Sequence, residues 1–72
     1  MKAIFWGGSY DGVEQNIEPI PDDVSYVKIG NECFSINRIS TDNVQLEYKE
    51  NLELKPGEIV RAYNLNVSGG TP

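Results

Sequence analysis

Val44-Gln45-Leu46-Glu47-Tyr48 alternates apolar and polar residues without a break, and its reading decides the fold. As a strand, it turns Val44, Leu46 and Tyr48 to a buried face and Gln45 and Glu47 to a wet one. The rival is a helix from Asp42 to Lys55, because Asp42 with Gln45 imitates a capping box and helix formers follow. The strand is the stronger of the two readings. Leu46 and Leu54 would leave the apolar face that Val44, Tyr48 and Leu52 define.

With this segment a strand, the flanking punctuation falls into place. Ser40-Thr41-Asp42-Asn43 is a polar turn before it. Upstream, Val24–Ile29 and Glu32–Ile39 flank Gly30-Asn31, a two-residue connection typical of a tight hairpin. Downstream, Lys55-Pro56-Gly57-Glu58 has proline and glycine where a type II turn wants them. It launches a segment from Ile59 to Val67, expected to be the longest strand, with Ile59, Tyr63, Leu65 and Val67 at its odd positions.

The first third repeats the pattern. Met1 to Trp6 is a short apolar segment ended by Gly7-Gly8, and Asp11-Gly12 marks a turn before Val13 to Ile17. Pro19 and Pro21 interrupt any ladder, with Ile20 between them tucking under the crossing chain. Val and Ile number thirteen against six for Leu plus Ala, a bias toward pleated strands. The expected fold is all-β: about six short strands in one small curled antiparallel sheet, SH3-like or a partly open barrel. Residues 1–67 should form a single small β domain and 68–72 a flexible C-terminal tail.

Composition excludes most chemistry. A chain of 72 residues supports one small core and leaves little room for a cofactor cleft. The net charge of −5 opposes unaided binding to a phosphate backbone or an anionic membrane surface. Histidine is absent, which removes the commonest general base, and Cys33 stands alone, so neither an internal disulfide nor a thiolate zinc site can be built. Cys33 and the five serines have no histidine to activate them, and Cys33 is expected to be a small buried hydrophobe. Asp22-Asp23 diverge in a proline-flanked loop, and the acids show no calcium-loop spacing. No enzyme activity, cofactor or metal is expected. The opening MKAIFWGG lacks a signal peptide's apolar stretch, and no run is long enough to span a bilayer. A cytoplasmic location is therefore expected, and Asn66-Val67-Ser68 is a chance match to a glycosylation acceptor.

Phe5-Trp6-Gly7-Gly8-Ser9-Tyr10-Asp11-Gly12 is the most distinctive segment. Its glycines could bring backbone amides to an anion, but a phosphate loop runs into a helix, whereas here Glu14, Glu18 and Pro19 follow. A plain glycine turn is the stronger reading.

The same segment resembles the start of small uncharacterised bacteriophage and prophage proteins, which open with a strand ending in Gly-Gly and then an Asp-Gly step. The match here is Phe5 and Gly7-Gly8-Ser9-Tyr10-Asp11-Gly12, followed by a proline-containing stretch from Glu18 to Pro21. Ser9 stands where the family usually has proline. The resemblance implies a phage accessory protein and assigns no activity.

Acids cluster at Glu14, Glu18, Asp22 and Asp23 and again at Glu47, Glu50, Glu53 and Glu58. Solubility accounts for such a surface, and so does docking on a basic groove steered by charge. Docking also needs aromatic anchors, and Trp6, Tyr10 and Tyr26 are the candidates. Trp6, the single tryptophan at a strand end, is more readily placed in the core than on the surface, whereas Tyr10 at a glycine-flanked tip is expected to be exposed. The expected partner-binding set is Trp6, Tyr10, Asp11, Tyr26, Glu47 and Glu53.

The expected function is that of a non-enzymatic phage accessory protein that binds and inhibits a bacterial host or defence protein through an acidic, aromatic-containing surface. The alternatives are a nucleotide-signal binder, using the Gly7-Gly8 turn for phosphate and Tyr10 for the base, and a virion or assembly component. Uncovered edge strands also invite a homodimer.

Overall fold

The structure, a computed structural model, describes residues 1–64. Six strands form one sheet: β1 (Lys2–Trp6), β2 (Glu14–Asn16), β3 (Tyr26–Ile29), β4 (Glu32–Arg38), β5 (Asn43–Lys49) and β6 (Val60–Tyr63). Their spatial order is β2-β1-β5-β4-β3-β6, and the sheet curls into a half-barrel. The fold is all-β, with the decisive segment inside β5. Val44 and Leu46 are buried there, Tyr48 is half-buried and Glu47 is exposed.

The expected antiparallel sheet is in fact mixed. β1 lies parallel to β5 and β6 parallel to β3, whereas β1–β2, β3–β4 and β4–β5 are antiparallel. Chain order explains the difference. The tight turns make β3, β4 and β5 a meander, so β3 and β5 run the same way, and the two longer crossings bring β1 and β6 alongside them in that direction.

The first crossing, between β2 and β3, runs under the concave side of the sheet and places Ile17, Ile20 and Val24 in the core. They meet Ala3 and Phe5 of β1, Val27 and Ile29 of β3, Phe34 of β4, Val44 and Leu46 of β5 and Tyr63 of β6. Arg38 ties the crossing down. Its guanidinium donates to the carbonyls of Ile20 at 3.3 Å and Pro21 at 2.9 Å.

Turn chemistry follows the residues. Gly30 has φ +60° in the β3–β4 connection, and Gly57 has φ +89°, which the second central position of a type II turn requires. The Glu58 N–H closes that turn on the Lys55 carbonyl at 3.1 Å. The final strand begins at Val60, one residue later than expected, and ends at Tyr63, so it is not the longest: it has four residues where β4 and β5 have seven each, and Ile59 stays exposed. The expectations for Leu65, Val67 and the tail lie outside the described residues. Among the described residues no helix is long and apolar enough to cross a membrane.

Candidate functional site: the open face of the sheet

One face of the sheet carries the core, and the other is covered by no second layer among the described residues. Strand alternation sorts the side chains. Ala3 and Phe5 point inward, so Lys2, Ile4 and Trp6 point out; Val44 and Leu46 point inward, so Asn43, Gln45, Glu47 and Lys49 point out. Cross-strand register then aligns the outer residues. Trp6 lies opposite Glu47, Glu47 opposite Ser35, Ser35 opposite Tyr26 and Tyr26 opposite Val60. Trp6 and Tyr26 are thus three strand spacings apart, about 14 Å at about 4.8 Å per step.

This row joins Trp6, Tyr26 and Glu47 from the expected set. Trp6 is 51% exposed, which corrects the expectation that it packs in the core. The reason is parity: Ala3 and Phe5 fill the inward positions of β1, and a single-layer sheet offers the next residue nothing but the outside. Tyr26 is half-buried, and its hydroxyl donates to the Glu58 carboxylate at 3.2 Å. That bond, together with burial and the negative charge of Glu58, holds the phenol above its ordinary pKa of 10.0.

The face is mixed in charge. Lys2, Lys28 and Lys49 stand on it with Glu14 and Glu47, and Lys2 pairs with Glu14 at 2.8 Å. Glu53 lies exposed in the loop between β5 and β6, and Asp22 and Asp23 lie exposed in the first crossing. Cys33, expected to be buried, is half-buried on this face with Lys28 and Lys49 as its cross-strand neighbours.

Tyr10 and Asp11 belong elsewhere, and the exposed Tyr10 is a correction. Gly7 and Gly8, at φ +79° and +71°, fold the chain back over the concave end of the sheet, against the Tyr48 side chain. The one-turn 3₁₀ helix Gly8–Tyr10 then drops Tyr10 onto Phe5 and Phe34, with ring centroids 5.5 and 6.5 Å away. Tyr10 is half-buried against the core. Asp11 caps the turn by accepting the Gly7 N–H at 2.7 Å.

Sequence reasoning missed Glu32. Its carboxylate accepts the Ser9 backbone N–H at 3.0 Å and the Ser9 hydroxyl, fastening the glycine turn to the start of β4. A separation of 23 residues leaves no local signal for this contact. It bears on chemistry as well. The Gly7 and Ser9 amides, which a phosphate would need, are engaged by the protein's own carboxylates. Among the described residues no three His, Cys, Asp or Glu side chains converge to hold a metal ion.

The arrangement defines a class: a small all-β half-barrel with an aromatic and polar outer face. No family model, curated protein or solved structure matches the chain.

Proposed function

We propose that this protein works by binding another protein through the open face of its sheet, without catalysis, as a phage or prophage accessory protein that occupies a functional surface of a bacterial host or defence protein. The observation that carries the reading is the row Trp6–Glu47–Ser35–Tyr26, in which the single tryptophan stands exposed on a rigid strand beside polar partners. Large aromatic side chains on a fixed scaffold lose little entropy on contact and dominate interface energetics. Lysines and glutamates around them supply the polar rim. The phage context rests on the resemblance of Phe5–Gly12 alone.

The test is affinity capture from bacterial lysate with wild-type protein, Trp6→Ala and Glu47→Lys in parallel. A partner retained by wild type and lost from Trp6→Ala supports the reading. Equal recovery by all three removes the open face as the binding surface. With the partner in hand, salt should slow association where charge steers the encounter, since screening acts over about 8 to 10 Å.

A further inference from the structure

The half-barrel leaves a seam between its two edge strands, β2 and β6. A cleft of about 370 Å³ lies there, lined by Asn16, Ile17 and Glu18 on one side and Arg61, Ala62, Tyr63 and Asn64 on the other. β2 and β6 are the two edges of the sheet, and among the described residues no backbone hydrogen bond joins them. Side-chain contacts bridge the gap, among them Arg61 to Glu18 at 3.7 Å and the Tyr63 hydroxyl to the Pro19 carbonyl at 3.3 Å. Both ends of the ion pair are exposed, so it holds the seam weakly.

The hydrogen-bond pattern fixes where the free backbone groups point. The Ile59 carbonyl accepts from Ser25 and Tyr26, so positions 59, 61 and 63 face β3, and Val60 and Ala62 present their N–H and C=O groups outward. Across the seam, Ile17 bonds with Met1 and the Val13 carbonyl with Phe5, so positions 13, 15 and 17 face β1 and Asn16 points its backbone outward. Ala62 and Asn16 therefore direct donors and acceptors that have no backbone partner among the described residues toward one cleft from opposite sides. Buried Ile17 and Tyr63 supply its apolar inner wall.

We infer that the seam is a binding site for a lone extended peptide segment of a partner, which enters as an added strand between β6 and β2. The occupant is set by the two edges. A strand satisfying both must have both of its own edges free, as a tail or linker does; a strand of a second copy brings its own neighbour, which would collide with β2. Strand addition draws affinity from the main chain and selectivity from alternate side chains. The side chain of the segment that meets Ile17 and Tyr63 is apolar; the one two residues away on the same face meets Arg61 at the rim and is polar. This site is separate from the open face, and either can fail alone.

The probe is a capped peptide, acetyl-Lys-Thr-Val-Thr-Val-Thr-Lys-amide, titrated into the full-length ¹⁵N-labelled protein. The expected result is a shift and slowed hydrogen exchange at the Ala62 and Asn16 amides, with Trp6 and Tyr26 unmoved. Ala62→Pro removes the outward N–H at a position where an edge strand tolerates proline, and should weaken binding at least tenfold with little change in melting temperature. The same peptide N-methylated at its central residues should bind wild type at least tenfold more weakly, which decides the matter even if Ala62→Pro fails to fold. No binding at millimolar peptide, equal binding of the methylated peptide, or shifts confined to the outer face would overturn the inference. So would a concentration-dependent dimer abolished by Ala62→Pro, which would make the occupant a second copy.

Discussion

The carboxylate of Glu32, at the start of β4, accepts hydrogen bonds from both the backbone N–H and the hydroxyl of Ser9. This contact fastens the glycine turn over the end of the sheet and so holds Tyr10 on Phe5 and Phe34. Glu32→Ala should cost about 1 kcal/mol in urea melts, the low end for a charge-assisted bond because the site is exposed. Tyr10 should show greater near-ultraviolet mobility in that variant. An unchanged melt and spectrum would show that the contact positions nothing.

The glycines of that turn differ in what surrounds them. A Cβ at Gly8 would sit 2.6 Å from the Glu32 carboxylate and 3.1 Å from the Tyr48 ring, at φ +71°. At Gly12, φ is +82° but nothing lies within 4 Å. Gly12→Ala should therefore cost about 1 kcal/mol from backbone strain alone, and Gly8→Ala about twice that. Equal losses in denaturant melts would refute the close approach.

The two aromatic candidates of the N-terminal segment should exchange roles. Trp6→Ala should change stability by no more than about 0.5 kcal/mol, because its side chain faces solvent. Tyr10→Ala should cost about 2 kcal/mol, less than a fully buried aromatic. If partner binding is lost with Trp6→Ala and survives Tyr10→Ala at temperatures where the latter is folded, the open face is the contact surface.

Leu46 and Glu47 are neighbours on β5 with opposite faces. Leu46→Ala should cost about 2 to 4 kcal/mol by emptying the centre of the core, and Glu47→Ala close to nothing. Chemical denaturation of the two variants measures the facing of the strand directly.

Tyr26 and Tyr63 both titrate above the ordinary value of 10.0, Tyr26 chiefly through its hydrogen bond to Glu58 and Tyr63 chiefly through burial. A tyrosine that holds its proton more tightly folded than unfolded stabilises the fold below pH 10, and that contribution is lost as pH rises through the folded value. Ultraviolet difference titration should show both phenols ionising late. Glu58→Gln should bring Tyr26 back toward 10 and leave Tyr63 where it was.

The strand content, the turns at Gly30-Asn31 and Lys55–Glu58, the burial of Ile20 and the two faces of β5 were all legible in the residues. Each is a local property: a period of two, a glycine at positive φ, a proline that cannot donate. The outward place of Trp6 was not legible: Ala3, Ile4, Phe5 and Trp6 are all apolar, so nothing local separates the two faces of β1, and the core was the expected place. The parallel pairing of β1 with β5 and β6 with β3, the grip of Glu32 on Ser9 and the seam between β2 and β6 were decided by tertiary structure alone. Each joins segments far apart in the chain, and local preference is blind to which edge a distant strand will meet; burial of one shared apolar face chooses the pairing, and the backbone groups left over at the edges define where another chain can bind.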